Sequence, residues 1–350
     1  MKPDLQWSID DLAARTAPGL GGRRPVRAVA ALERPAADPQ FEQDVLEGLD
    51  DDRKHIPSLW LYDRRGSELF EEITRLPEYY PTRTETRLLA ELAPALAQDL
   101  PGVRSLVEIG SGSSRKTRLL LAAMPRLARY VPVDISEDFL REAAAGLQRE
   151  FPAIAVQPVV ADFTQPFALP PGPDGPAPDG EANLGFFPGS TIGNFTPAAA
   201  VDLLASLGRA LGRRSRLLIG VDTTQDPALL IPAYDDAAGV TAEFNLNLLD
   251  RINRELDGDF DRRRFRHLAR HDPVESRIEM HLASEGEQAV RVGGRTFWFR
   301  GGETIHTENC YKHTPPAFLR LAHEARWRCE RSWADAGRTG FTVYLLRREA

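Results

Sequence analysis

The sequence LVEIGSGSSRKT, residues 106–117, contains the residues with the clearest potential for ligand chemistry. Its apolar start predicts a buried strand. Gly110 and Gly112 then allow a sharp turn close to a ligand, because glycine lacks a Cβ and tolerates positive φ. The segment RLLLAAM that follows predicts a helix, whose first backbone N–H groups are free to bind a ligand. Strand, glycine turn and helix in this order form the geometry that binds a nucleotide-like ligand in a doubly wound sheet.

Three kinds of nucleotide-like ligand compete for this turn. A phosphate-binding P-loop needs a glycine directly before Lys-Ser/Thr, whereas Arg115 precedes Lys116 here, so this alternative is excluded. A dinucleotide fold needs G-x-G-x-x-G, and Arg115 also occupies the position of the third glycine. S-adenosylmethionine (SAM) has no pyrophosphate, so a single G-x-G beneath the acidic strand residue Glu108 is sufficient. A lone G-x-G is also compatible with a turn that binds no ligand, and at this point both possibilities stay open.

Acidic residues end the next two predicted strands. Asp134 ends the strand in RYVPVDIS and lies about 24 residues beyond Gly110, close to the roughly 20-residue offset of an acid that bonds ribose hydroxyls. Asp162 and Phe163 follow the strand in AVQPVVADF, where an acid and an aromatic ring suit the edge and the face of adenine. A solvent-exposed strand end is the alternative interpretation of each acid.

Alternating strands and helices are needed to position these residues. Further strands are predicted within 129–136, 155–163, 182–195 and 216–222, with helices such as EDFLREAAAGLQREF between them. This alternation implies an α/β fold with a mostly parallel sheet, and ligands bind at the carboxyl ends of such strands. The last helix and strands, within residues 320–348, are expected to join the same sheet.

The alternation stops between about residues 226 and 310, where a helix and several short strand-like segments predict an inserted unit. Residues 1–38 predict a loosely ordered extension, although SIDDLAART within it is compatible with a short helix. The Pro/Gly-rich segment 169–182 predicts a surface loop.

Composition argues against several classes of protein. With 350 residues, of which 42% are hydrophobic, the chain can bury a large core in one or two domains. A net charge of −7 without a long basic run argues against nucleic-acid binding. Cys310 and Cys329 alone support neither a disulfide framework nor a cysteine-rich zinc site. Because no apolar run approaches the roughly 20 residues of a membrane span and no signal core begins the chain, we expect a cytoplasmic protein without membrane contact.

Several long motifs together resemble one family. They are YDRRGSELFEEITRLPEYYPTRTE, VEIGSGSSRKT, PVDIS, GSTIGNF, AYDDAAGVTAEFNLNLLDRINREL, EMHLAS and IHTEN. In this order they resemble the L-histidine Nα-methyltransferases, which make hercynine in ergothioneine biosynthesis, and the resemblance extends over roughly residues 41–350. It implies a Rossmann-like SAM-dependent methyltransferase sheet with an inserted substrate-binding domain, SAM as methyl donor, no metal, and a monomer acting on free L-histidine.

The resemblance also implies domain bounds and site residues. The bounds are 39–83 and 223–312 for the substrate-binding domain, and 84–222 and 313–350 for the SAM-binding domain. The implied SAM contacts are Gly110, Lys116, Asp134, Asp162 and Phe163. The implied substrate contacts are Tyr62, Tyr79, Gly189, Thr191, Asn194, Tyr234, Met280, Glu308 and Cys310, of which Tyr79 and Asn194 are also the expected catalytic residues.

Individual roles follow from the same resemblance. Asn194 matches the asparagine that holds the substrate's amino and carboxylate groups, and Tyr234 matches a tyrosine on that carboxylate. Tyr79 matches a tyrosine near the reacting nitrogen, and Tyr62 matches one beside the imidazole. Glu308 matches the acid that binds the imidazole, in a pocket that also contains the implied Met280.

One position departs from the family pattern. The family often has serine two residues beyond the imidazole-binding glutamate, where this chain has Cys310. A thiol is a weaker hydrogen-bonding group than a hydroxyl, so this difference bears on imidazole affinity. Two alternative functions remain at this point: methylation of another aromatic amino acid such as tryptophan, and SAM binding without catalysis. Glu308 argues against tryptophan, because a carboxylate suits an imidazole N–H better than an apolar indole pocket.

Overall fold

The computed structural model describes residues 38–171, 183–337 and 339–349. The expected N-terminal extension with its short helix, and most of the expected surface loop at 169–182, therefore lie outside the described residues. The helices are α1 (Pro39–Asp50), α2 (Arg64–Ile73), α3 (Tyr80–Asp99), α4 (Thr117–Ala123), α5 (Glu137–Glu150), α6 (Pro197–Leu211), α7 (Pro227–Tyr234), α8 (Val240–Glu255) and α9 (Pro315–Glu324). The strands are β1 (Ser105–Ile109), β2 (Arg129–Asp134), β3 (Ala155–Val156), β4 (Val159–Val160), β5 (Asn183–Phe187), β6 (Arg216–Val221), β7 (Phe265–Asp272), β8 (Arg277–Ser284), β9 (Gln288–Val292), β10 (Arg295–Phe299), β11 (Thr304–Tyr311), β12 (Trp327–Ala334) and β13 (Thr342–Arg348).

An eight-stranded central sheet has the order β12-β13-β6-β5-β1-β2-β3, with β4 also paired to β2. Strand β1 pairs parallel with β2 and β5, and β5 pairs parallel with β6. The C-terminal strand β13 runs antiparallel to β6. The expected α/β fold with a mostly parallel sheet, joined by the C-terminal strands, is confirmed.

Strand β1 is almost completely buried, including its acidic residue Glu108, because helices cover both faces of the sheet. Its side chains alternate between the two faces. Leu106 packs in a core with residues of α3 and α4, such as Leu89 and Leu120. Val107 packs on the opposite face in a core with residues of α6 such as Leu204. The glycine turn after β1 is therefore fixed from both sides.

The second lobe, called here the antiparallel lobe, comprises α1, α2, α7, α8 and β7–β11. Its strands form a three-stranded antiparallel sheet, β11-β8-β7, and the hairpin β9-β10. A third hydrophobic core, with Phe41, Leu248 and Phe299 among its members, fills this lobe. The separate core agrees with an inserted unit, but the domain bounds stay a prediction.

Two details differ from the expectations. The expected third strand over 155–163 is broken into the two-residue strands β3 and β4, with Pro158 between them. Proline has no N–H to donate to a sheet ladder. Strand β7 was not expected, because its sequence FRHLARHD is rich in charged and polar residues. No helix in the described part of the chain is long and apolar enough to cross a membrane.

Gly193 lies at a close backbone contact between the two lobes. It lies in the 3₁₀ turn Thr191–Asn194 that follows β5. A Cβ at Gly193 would lie 2.6 Å from the backbone oxygen of Tyr311 in β11. Only a residue without a side chain therefore permits this contact between the sheet and the antiparallel lobe.

We expect Gly193→Ala to lower the free energy of unfolding by about 1–3 kcal/mol, the usual cost of overpacking. The cost arises because backbone must move to admit the new methyl group. Chemical denaturation measures it. Gly146→Ala in α5 is the matched control, because a Cβ there meets nothing within 4 Å, and it should be neutral or stabilising by about 0.5–1 kcal/mol. Equal stability of both variants would contradict the tight junction.

Candidate active site

A pocket lies between the carboxyl ends of the central strands and the antiparallel lobe. All nine residues expected to contact substrate line it, and they are Tyr62, Tyr79, Gly189, Thr191, Asn194, Tyr234, Met280, Glu308 and Cys310. Five further residues complete the lining, and they are Phe70, Ile73, Ala233, Thr241 and Phe244. The structure thus brings together residues from α2, α7, α8, β8, β11 and the loop after β5, with Tyr62 just before α2 and Tyr79 just before α3. Their individual roles stay predictions.

The loop after β5 presents Asn194 to the pocket. Its backbone is left-handed at Gly189 (φ 81°) and at Ser190 (φ 59°). The N–H of Gly189 donates to Glu85 Oε2 at 2.8 Å, and Ser190 Oγ accepts from the N–H of Asp222 at 2.9 Å. These bonds tie the loop to α3 and to the end of β6, so the 3₁₀ turn that carries Asn194 has a fixed direction.

Asn194 and Glu308 are hydrogen-bonded partners across the pocket. The Nδ2 atom of Asn194 donates to Glu308 Oε1 at 3.1 Å. Burial raises the pKa of Glu308 to about 7, although the charge of Lys312 opposes this shift. Near neutral pH the Glu308 carboxyl can therefore either accept or donate a proton. This property suits a partner with a pKa near 6.5, such as an imidazole.

Three tyrosines form much of the wall. The ring of Tyr62 packs edge-on to Phe244, with centroids 5.4 Å apart, and the ring of Tyr79 packs edge-on to Tyr234 at 6.3 Å. Burial raises the pKa of Tyr62, Tyr79 and Tyr234 well above the ordinary tyrosine value. All three therefore remain neutral phenols, which can donate or accept hydrogen bonds without carrying charge.

Cys310 is buried beside Tyr234. Its Sγ atom lies 2.7 Å from the Tyr234 hydroxyl, and Lys312 Nζ donates to it at 3.2 Å. Burial raises the pKa of the Cys310 thiol, so it stays protonated at neutral pH. The thiol is thus held by groups at the floor of the pocket, where it lines the same space as Glu308.

The glycine turn and Asp134 form a second cluster. Gly110 and Gly112 both have positive φ, 66° and 48°. The N–H of Gly112 donates to Asp134 Oδ2 at 2.9 Å, and the N–H of Ser136 donates to Oδ1 at 3.0 Å. A carboxylate has about four acceptor sites, so Asp134 retains capacity for further donors. The expected proximity of this acid to the glycine turn is present.

Asp162 and Phe163 follow β4, and the ring of Phe163 lies at the glycine turn. A Cβ at Gly110 would lie 3.5 Å from the Phe163 ring, so the ring covers the turn. Asp162 Oδ1 accepts hydrogen bonds from the N–H and the hydroxyl of Thr164, at 2.8 and 2.7 Å. Glu108 is only 1% exposed and accepts a hydrogen bond from the Tyr130 hydroxyl, which places its carboxylate inside the protein below the turn.

Lys116 links this cluster to the pocket. It forms an ion pair with Glu85, whose side chain is fully buried and whose Oε2 also accepts from Gly189. A Cβ at Gly189 would lie 4.0 Å from Lys116 Nζ. Lys116 thus lies between the glycine turn and the loop that carries Asn194.

Four buried polar residues next to the pocket were not predicted, namely Tyr80, Glu85, Asp222 and Lys312. Asp222 and Lys312 form an ion pair at 2.8 Å, and the Tyr80 hydroxyl donates to Asp222 Oδ2 at 2.6 Å. Asp222 had a detectable signal, since a single acid directly after the apolar run LLIGV marks the carboxyl end of a strand. Glu85 and Lys312 lie in polar sequence surroundings and gave no such signal.

The chain is similar to known proteins over most of its length. A family model described as "Histidine-specific methyltransferase, SAM-dependent" matches residues 41–348. The chain is 42% identical over 318 residues to a histidine N-alpha-methyltransferase of Mycobacterium tuberculosis, covering 87% of this chain and 94% of the relative. It is 41% identical to the protein of that name in Mycolicibacterium smegmatis, covering 89% and 97%. It is 33% identical to ergothioneine biosynthesis protein 1 of Neurospora crassa, covering 60% of this chain and 24% of the relative.

The raised pKa of Glu308 predicts a pH-dependent stability cost. The group binds its proton more tightly in the folded state, so it costs little below its unfolded pKa of 4.5, and the full cost is present above its folded pKa of about 7. Relative to wild type, Glu308→Gln should gain up to about 3 kcal/mol of stability between pH 5 and pH 8, since one pKa unit is about 1.36 kcal/mol.

Guanidinium denaturation at the two pH values measures this gain. Glu91→Gln, on an exposed position of α3, is the matched control and should follow the wild-type pH profile. Any contribution from Glu108 is common to wild type and variant and cancels in the difference. Parallel pH profiles for wild type and Glu308→Gln would show that Glu308 titrates as an ordinary carboxyl.

Proposed function

Because the chain belongs to the family of SAM-dependent, histidine-specific methyltransferases, we propose that it trimethylates the α-amino group of free L-histidine to hercynine. SAM-dependent histidine methylation is the activity of the family, and ergothioneine synthesis is its biosynthetic setting in named relatives. The single observation that carries the substrate assignment is the pair Asn194–Glu308 in one pocket with Tyr234. This set offers an acceptor for an imidazole and, beside it, polar groups for an amino acid head group.

The glycine turn fits SAM. Gly110 and Gly112 supply the turn, Asp134 offers free acceptor sites for ribose hydroxyls, and Phe163 offers a ring beside the turn. The buried hydroxyl of Ser111, in the middle of the turn, has no hydrogen-bond partner within the described protein. Buried polar groups are rarely left unpaired, so a ligand at this turn would satisfy it.

Recognition of histidine divides between two sets of groups in the pocket. Glu308 accepts a hydrogen bond from the imidazole, and a charge-assisted bond of this kind is about twice as strong as a neutral one. Asn194 and Tyr234 hold the amino and carboxylate groups. Since Asn194 also donates a hydrogen bond to Glu308, a movement of either side chain on substrate binding shifts the other.

Proton removal does not require a strong base. The α-amino nitrogen must lose a proton before each transfer, because an ammonium has no lone pair, and the pKa of an α-amino group lies not far above neutrality. Tyr79 remains a neutral phenol because burial raises its pKa. Tyr79 therefore orients the substrate amine while the proton of the amine passes to water. It does not act as a charged base. Bound SAM supplies the electrophilic methyl group.

Catalysis then depends chiefly on alignment. Fixed orientation of reacting groups can remove several kcal/mol from a barrier. The tyrosine and phenylalanine rings around the pocket can also stabilise a methylated ammonium cation by cation–π attraction. These rings exclude water from the site, since Tyr79, Tyr234 and Phe244 are all less than 8% exposed. We further propose a cytoplasmic monomer that needs no metal, acting on a free small molecule.

One prediction of the proposed function concerns the product. Given SAM and a mixture of free amino acids, the purified protein should add three methyl groups to L-histidine, because the pocket combines an imidazole acceptor with head-group contacts. Mass spectrometry of the products measures this. Conversion of tryptophan without methylated histidine would replace the substrate assignment, and SAM binding without any product would favour a binding protein.

A second prediction concerns Asp134. Asp134→Ala should weaken SAM binding by roughly 2–4 kcal/mol, because it removes charge-assisted hydrogen bonds to two ribose hydroxyls. Isothermal titration with SAM measures the loss. Asp138→Ala, at an exposed position in the first turn of α5, is the matched control. Asp134→Asn retains an oxygen acceptor for the Gly112 N–H, so the glycine turn keeps its hydrogen bond. This variant therefore measures the effect of losing the negative charge alone. Unchanged SAM affinity in a folded Asp134→Ala variant would remove Asp134 from the site.

A further inference from the structure

A fully buried ion pair lies under the pocket and has no part in the roles assigned so far. The side chains of Lys312 and Asp222 are 1% and 0% exposed, and Nζ and Oδ2 are 2.8 Å apart. Burial alone would lower the pKa of Lys312, but the charge of Asp222 raises it well above its ordinary value. Both groups are therefore charged. Buried ion pairs seldom stabilise a fold relative to apolar residues, so this pair invites a functional explanation.

The three N–H donors of Lys312 are all used. They point to Asp222 Oδ2, to the Tyr234 hydroxyl at 2.8 Å and to Cys310 Sγ at 3.2 Å. An ammonium has three donors and no acceptor, so the Tyr234 oxygen must accept from Lys312. The proton of the Tyr234 hydroxyl is then directed elsewhere, either to Cys310 Sγ or into the pocket.

Asp222 fixes the ammonium from the side of the central sheet. It follows β6 directly, and its oxygens accept from the Tyr80 hydroxyl at 2.6 Å and from the Thr224 N–H at 3.1 Å. Tyr80 begins α3, and Lys312 follows β11. The chain of bonds Tyr80–Asp222–Lys312–Tyr234 thus runs from the start of α3, past the end of β6, to the pocket wall through buried side chains.

We propose that Lys312, held in place by Asp222 and Tyr80, is a positioning residue for the substrate carboxylate. It obliges Tyr234 to donate its hydroxyl proton to that carboxylate, and it places a positive charge one hydrogen bond behind the contact. The inference rests on the proposed function, because it assumes that Tyr234 meets the carboxylate of the amino acid substrate. Without substrate, the Tyr234 hydroxyl donates to Cys310 Sγ. When substrate binds, the hydroxyl turns from Cys310 to the substrate carboxylate.

The test compares L-histidine with L-histidinol, in which a hydroxymethyl group replaces the carboxylate. Lys312→Met alone would leave Asp222 charged and unpaired, so the principal variant is Asp222→Asn/Lys312→Met. The matched control is Glu303→Gln/Lys54→Met, which removes another ion pair of the antiparallel lobe, at 3.0 Å, whose residues do not line the pocket. Affinities for histidine and histidinol are measured by titration in the presence of S-adenosylhomocysteine.

We expect the principal variant to bind histidine about 10- to 100-fold more weakly, the range for losing one hydrogen bond to a charged group. Histidinol affinity should change less than about threefold, and the control should change neither affinity. Tyr234→Phe should produce the same selective loss, and adding Asp222→Asn/Lys312→Met to it should produce little more, because both act on one contact. The KM for SAM should be unchanged in all variants.

Equal losses for histidine and histidinol would show a merely structural role and overturn the inference, as would unchanged histidine affinity. If the principal variant does not fold, Tyr80→Phe is the alternative, because it keeps the ion pair and removes only the hydrogen bond from the Tyr80 hydroxyl to Asp222. It should then lower the histidine-to-histidinol affinity ratio by a smaller factor, and an unchanged ratio would overturn the inference. Absence of histidine methylation by wild type would refute the proposed function and this inference together, whereas methylation with an unchanged ratio in the variants would refute the inference alone.

Discussion

The ion pair between Asp222 and Lys312 connects the two halves of the molecule at the point where the pocket forms. Asp222 directly follows the central strand β6, and Lys312 directly follows β11 of the antiparallel lobe. In a low-dielectric interior such a pair tolerates little separation, because each charge would be left without compensation. The pair therefore fixes the distance between the sheet and the lobe. The close approach of Gly193 to Tyr311 imposes the same constraint on the backbone.

This constraint explains the electrostatic character of the pocket. Lys312 and Asp222 compensate each other, the three wall tyrosines stay neutral, and the Glu308 carboxyl is left with a pKa of about 7. A buried carboxyl without a full counter-charge weakens the fold above neutral pH. Active sites commonly keep such destabilising groups because they serve function. Under the proposed function, the imidazole of histidine is the partner that compensates the buried Glu308 carboxyl.

Much of the cofactor side could be predicted from sequence, because its signals are local. The glycine turn and the acid ending the next strand depend on β1, β2 and their connection, where spacing and residue type determine geometry. The break at Pro158 was missed although proline, which cannot donate to a sheet ladder, is a local signal for it. The polar strand β7 was missed because its pairing with β8 outweighs the weak local strand preference of its sequence. The pocket residues were placed through family resemblance. The bonds Lys312–Asp222 and Tyr80–Asp222 join residues 90 and 142 positions apart and only become visible in three dimensions.

The proposed reaction requires one arrangement: histidine held between Glu308 and Tyr234, with its α-amino nitrogen facing the glycine turn. A crystal structure with S-adenosylhomocysteine and L-histidine tests it most directly. We expect an imidazole nitrogen within hydrogen-bond distance of Glu308, the carboxylate on Tyr234 and Asn194, and the α-nitrogen in line with the cofactor sulfur, leaving room for a methyl group at the roughly 3–3.5 Å of a reactive approach. An imidazole nitrogen facing the sulfur, or histidine bound outside this pocket, would contradict it.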